Sequence, residues 1–155
     1  MTATTAQHVV QFADLQSLVG TSYGPGEWFE ISQERINTFA DATDDHQFIH
    51  VDPERAKDSP FGGTIAHGFL TLSLVIPLWS ALFDVDGVTT KVNYGLDKVR
   101  FITPVKAGSR VRLSFVLAAV EEVKGGVQIK VDATIELEGS ERPAVAVEFL
   151  ARFYA

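Results

Sequence analysis

Fifteen consecutive residues, Phe69 to Phe83, are apolar on nearly every face, interrupted only by Thr71, Ser73, Pro77 and Ser80. A membrane crossing needs about 20 apolar residues. A shorter helix that is greasy all round belongs in a protein core, so other elements must cover it. Beyond Gly87 the period changes from helical to alternating. Val92 to Val105 holds Tyr94, Val99, Phe101 and Ile102 and stops at Pro104. Val111, Leu113, Phe115 and Leu117 alternate with Arg110, Arg112 and Ser114. After Gly125-Gly126, Val127, Ile129, Val131, Ala133, Ile135 and Leu137 repeat the pattern, as do Val145, Val147, Phe149, Ala151 and Phe153. Such strands have one dry face and one wet face. The expected architecture is α+β: an antiparallel sheet of about five strands wrapped around a long central helix. That helix begins near His67 and ends or kinks around Pro77.

With 155 residues, 46% hydrophobic and 21% charged, residues 1–155 read as one globular domain. The net charge of −7 argues against a nucleic-acid surface, which needs a basic stripe. No cysteine is present, which removes thiol nucleophiles, disulfides and cysteine-based zinc sites. The opening Met1-Thr2-Ala3-Thr4-Thr5 lacks the basic-then-apolar pattern of a secretory signal. A cytoplasmic, non-membrane protein is expected.

Upstream, Phe12, Leu15 and Val19 share a helical face that Gly20 closes, and Tyr23-Gly24-Pro25-Gly26 turns into a short strand at Trp28–Ile31. Ser32 is an N-cap for a helix over Gln33–Ala42, with Ile36, Phe39 and Ala40 inward. Asp41, Asp44 and Asp45 crowd the C-terminal end, where the helix dipole disfavours carboxylates. A local conflict of this kind is expected at a working site. Asp52-Pro53 caps a further short helix over Glu54–Lys57.

Asp45 and His50 are five residues apart, on a stretch that reads as loop. Converging from a loop, they would hold one water and act as acid and base near neutral pH. Three other readings compete. Asp45 as a cap with a satisfied, semi-buried His50 explains the spacing as well. His46 and His50 with neighbouring carboxylates suggest metal, although no third imidazole or zincin motif accompanies them. Ser73 and Ser80 lie inside the apolar helix without a nucleophile elbow, against a Ser–His–Asp triad. Ala66-His67-Gly68 opens the helix, where free N–H groups and a missing Cβ let a ligand carbonyl approach. Tight packing of Gly68 and capping by His67 are the plainer alternatives. Lys98 and Arg100 share a strand face and suit phosphates or a solvated edge; Asn93 lines the site or satisfies a backbone group.

These residues resemble the MaoC-like, or R-specific enoyl-CoA hydratase, family. The likeness is carried by Phe39 through Ala56, by Pro60-Phe61-Gly62, by Ile65-Ala66-His67-Gly68-Phe69, and by Val99-Arg100-Phe101 with Pro104-Val105 and Gly108. It implies a hot dog fold, usually homodimeric. Matching the family motif Asp-x-Asn-Pro-aliphatic-His, the catalytic pair falls on Asp45 and His50, with Gln47 and Phe48 in place of Asn and Pro. The Gly68 N–H is implied to face the thioester oxygen. Ala66, His67, Asn93, Lys98 and Arg100 are expected to contact an acyl-CoA or acyl-carrier-protein thioester. The implied reaction is reversible hydration of a trans-2-enoyl thioester, with neither metal nor cofactor. A thioesterase on the same fold and a non-catalytic acyl-thioester-binding module are the alternatives.

Overall fold

The computed structural model describes residues 6–155; the opening Met1–Thr5, where a leader was sought, lies outside them. In chain order, β1 is His8–Gln11, followed by a 3-10 helix over Phe12–Leu18. Gly20, at φ 89°, ends that segment in a conformation that favours glycine. Short strands β2 (Ser22–Tyr23) and β3 (Phe29–Glu30) precede α1, Gln33–Thr43. Ser32 accepts the Arg35 N–H as the expected cap. The short helices α2 (Phe48–Val51) and α3 (Pro53–Ala56) follow, and Asp52 caps α3 by accepting from Arg55 N–H.

The apolar segment forms two helices, α4 (Gly68–Ser73) and α5 (Val75–Leu82), rather than one. Pro77 brought the break, but upstream of itself. It has no N–H for the Ser73 carbonyl, and its ring crowds that group. Leu74 N therefore shares itself between Leu70 O and Thr71 O, each at 3.2 Å, before Leu78 N resumes with Leu74 O at 3.1 Å. Phe83, expected as helix, is extended instead. It begins β4 (Phe83–Asp86), which pairs in parallel with β1.

Four long strands complete the chain: β5 (Thr90–Phe101), β6 (Arg110–Val123), β7 (Gly126–Leu137) and β8 (Val145–Tyr154). The main sheet has six strands in five positions, β2-β6-β7-β8-β5, because β3 also pairs with β6. The β6, β7, β8 and β5 ladders are antiparallel. Alternation places Leu113, Phe115, Leu117, Ile129, Val131, Ile135 and Val147 on the inner face against α4 and α5. There Trp79 stacks on Phe115 at 4.2 Å, and Phe83 meets Phe115 edge-on at 5.6 Å. Each such pair contributes about 0.5–1.5 kcal/mol beyond its buried area. The two helices are thus wrapped by the sheet, as the alternating pattern predicts, and this is the hot dog fold that the family resemblance implies.

Among the described residues β5 pairs with β8 alone and forms one edge of the sheet. Its register shifts twice, between Asn93 and Gly95 and between Leu96 and Lys98. Val92, Tyr94, Leu96 and Phe101 stand exposed along it.

Candidate active site

The site is built where α1 stops. Asp44 takes the left-handed conformation, φ 60° and ψ 19°, the only non-glycine at positive φ among the described residues. Aspartate tolerates this region better than most side chains. The turn releases Asp45-His46-Gln47 as loop and delivers His50 on the single turn of α2, not on a loop as its sequence suggests. His46 points elsewhere. It pairs on the surface with Asp41 at 2.8 Å, a bond that raises its pKa. The His46–His50 metal pair considered from sequence is therefore not assembled.

His50 is buried, 7% exposed. Its Nδ1 lies 2.7 Å from the Ile65 carbonyl. A carbonyl only accepts, so Nδ1 carries the proton and Nε2 keeps a lone pair. Burial is the main cause that lowers the His50 pKa; the Ile65 bond opposes it, His67 lowers it further and Asp45 raises it. Burial thus favours the neutral imidazole, the form a general base needs.

His67 joins this pair. It is 2% exposed, and its ring stacks on His50 with 3.9 Å between centroids and packs against Phe39 at 4.9 Å. Its Nε2–H donates to the backbone carbonyl of Asp45 at 2.9 Å and lies 4.0 Å from the carboxylate. Its Nδ1 is the one buried side-chain nitrogen or oxygen without a partner among the described residues. His67 occupies the N-cap position of α4 but makes no capping bond. Buried as it is, His67 forms an internal strut between the Asp45 loop and α4.

One donor atom from each of Asp45, His50 and His67 lies within 4.8 Å of the others. Proximity alone would suit a cation, but orientation does not. A metal sits about 2.0–2.1 Å from nitrogen along a lone pair in the ring plane. Two rings stacked with planes 26° apart share no such point close to both. The spacing does suit a water between a carboxylate and an imidazole, each bond being about 2.8 Å. The Asp45 carboxylate is half exposed, so one partner meets solvent while the other is dry.

Gly68 follows directly. The first bond of α4 runs from Thr71 N to His67 O at 3.1 Å, so intrahelical bonding leaves the Gly68 N–H free. A Cβ at Gly68 would meet the Phe101 ring at 3.0 Å. A cavity of about 280 Å³ borders Gly68, lined by Phe61, Ile65, Ala66, Thr71 and Phe101 among others, while Asp45, His50 and His67 are not in its lining. Ala66 is buried and gives its N–H to Val105 O at 2.7 Å. Asn93 lies apart on β5, beside cavities bounded by Ile76 and Phe149. Lys98 reaches Glu148 at 3.0 Å, whereas among the described residues the exposed Arg100 bonds only its neighbour's carbonyl, Val99 O, at 2.7 Å.

A buried imidazole and a half-exposed carboxylate thus lie beside the start of α4 on a hot dog fold. The MaoC like domain model matches residues 14–139, and the chain belongs to the MaoC-like dehydratase family. It is 51% identical over 144 residues to 3-hydroxyacyl-thioester dehydratase Z of Mycobacterium tuberculosis, covering 92% of this chain and 95% of that one. It is 47% identical over 146 residues to nodulation protein N of Rhizobium leguminosarum, covering 92% and 91%. An unliganded R-hydratase from Pseudomonas aeruginosa shares the fold with a TM-score of 0.69 at 20% identity, over 88% of this chain and 81% of that one.

Proposed function

We propose that the protein catalyses the reversible syn hydration of trans-2-enoyl thioesters to (R)-3-hydroxyacyl thioesters. The observation that carries this reading is the Asp45–His50 pair, with one donor atom of each within 4.8 Å, a span one water can bridge, and with burial lowering the imidazole pKa. Together they grip the water. One takes its proton as oxygen adds to C3, and a proton is delivered to C2. The Gly68 N–H steadies the enolate oxygen, a contribution worth most where charge develops in the transition state. The thioester already acidifies C2, so the scheme uses no metal and no redox cofactor.

The carrier is coenzyme A or acyl-carrier protein, with Arg100 and Lys98 meeting its phosphate. Ala66, Gly68 and Phe101 border the thioester, and Asn93 contacts substrate along β5. We assign the exposed apolar edge of β5 to a homodimer, and the working compartment to the cytoplasm. Among the described residues, no helix is long and apolar enough to cross a membrane.

The test is loss of the conjugated-enoyl absorbance of crotonyl-CoA. Asp45→Ala and His50→Ala are expected to lower the rate by about two to four powers of ten while the fold survives. Thiol release from acyl-CoA without hydration would instead make the protein a thioesterase. Full-rate hydration by the double variant would end the proposal.

A further inference from the structure

Gln33, the partly buried first residue of α1, commits both ends of its carboxamide to bonds within the chain. Its Nε2 donates to the backbone carbonyl of His50 at 2.7 Å and to Asn37 Oδ1 at 2.9 Å. Its Oε1 accepts from the hydroxyl of buried Thr64 at 2.5 Å. The orientation of the amide follows from chemistry: the His50 carbonyl can only accept, so nitrogen must face it.

These bonds close a ring of contacts. Gln33 holds the carbonyl of His50, and the imidazole of His50 holds the carbonyl of Ile65. Ile65 N–H returns to Ile49 O at 2.9 Å, and Thr64, next to Ile65, returns to Gln33. α2 is a single turn whose N-cap, Gln47, makes no side-chain capping bond. A lone turn has little stability of its own, so its orientation must come from outside. Gln33 and the Ile65 N–H···Ile49 O bond both tie that turn to the 64–65 segment, whose Ile65 carbonyl accepts the Nδ1–H of His50.

We propose that Gln33 is a positioning residue for the catalytic imidazole: its carboxamide braces α2 against Thr64 and so keeps His50 in the Nδ1–H tautomer with Nε2 free. The inference rests on the hydratase reading. It adds a residue that touches no substrate and acts through His50 alone.

Three full-length variants test it. Gln33→Met keeps the volume and removes every bond. Gln33→Glu keeps the acceptor for Thr64 but sets an oxygen against the His50 carbonyl. Thr64→Val leaves the Gln33–His50 bond and removes the other strut. For crotonyl-CoA, Gln33→Met and Gln33→Glu are expected to lose about tenfold or more in kcat with KM within about twofold, the pattern of a misplaced catalytic group. Thr64→Val is expected to lose about threefold. Side-chain 15N–1H spectra should show His50 as one Nδ1–H tautomer in the wild type and as a mixture in Gln33→Met and Gln33→Glu. Unchanged kcat and an unchanged tautomer in the folded variants, even with a lowered Tm, overturn the proposal. Should Gln33→Met not fold, Gln33→Glu and Thr64→Val decide by the same readings. An inactive wild type refutes the hydratase reading, while the tautomer spectra still judge the brace.

Discussion

The rings of His50 and His67 lie face to face, 3.9 Å between centroids and 26° between planes, and the second of them also holds the Asp45 carbonyl. One imidazole therefore sets the position of two groups assigned to the chemistry, and it directly precedes Gly68. His67→Phe keeps a ring in the stack but orphans that carbonyl bond. Asp45 is exposed, so water can take over its carbonyl and the lost bond costs about 0.5–1.5 kcal/mol. A lowered Tm is expected, with kcat reduced about tenfold or more and KM little changed. Thermal unfolding and steady-state hydration kinetics check both.

Burial lowers the His50 pKa, so the acid limb of kcat/KM should lie below the ordinary histidine value of about 6.5. Stability follows with a definite sign. Between about 6.5 and the lower folded value, the unfolded chain binds the proton and the native chain does not. Stability therefore falls as pH is lowered through that window. His46, whose pKa is raised by Asp41, contributes in the opposite sense. The wild-type curve minus that of His50→Gln, from chemical denaturation at several pH values, isolates the His50 part.

Gly68→Ala tests the close approach of Phe101, whose ring would lie 3.0 Å from the new Cβ. Overpacking of this kind costs about 1–3 kcal/mol. Phe101 is half exposed, so the ring has somewhere to go, and a cost near the low end is expected. Phe101→Leu in the same chain should recover most of the stability. A double-mutant cycle on the unfolding free energy measures the coupling.

Asp44 holds a left-handed turn that glycine adopts freely. Asp44→Gly is expected to raise stability by up to about 1 kcal/mol, and Asp44→Ala to lower it. The midpoint of urea unfolding decides between these signs.

The exposed edge of β5 gives a fifth expectation. Leu96→Glu places a charge among Val92, Tyr94 and Phe101, a common defence against edge pairing. Sedimentation of the wild type should show a dimer, and that of Leu96→Glu a monomer. A monomeric wild type at micromolar concentration would rule out the dimer assigned to this edge.

Local order was legible wherever it repeats. The period of two gave β6, β7 and β8, and Ser32 and Asp52 marked helix starts that hold in the structure. The break at Leu74 was less so, because the damage from Pro77 falls on the preceding turn. The parallel pairing of Phe83–Asp86 with His8–Gln11 was hidden because β4 is short and continues an apolar helix. Asp45, His50 and His67 stood out as titratable groups beside an apolar run, and the structure brings them together. Their partners did not stand out. Gln33 looks like any first-turn glutamine, and its role depends on Thr64, 31 positions away. No periodicity records a contact of that kind.

Those long connections also bear on where this chemistry can be moved. Gln33 reaches 17 positions to His50, and His67 reaches 22 back to Asp45. A loop graft carrying only the Asp45–His50 stretch would import the reactive groups without their scaffolding. Transplanting the activity into another protein would require the whole run from Gln33 through Gly68, together with a sheet able to receive it.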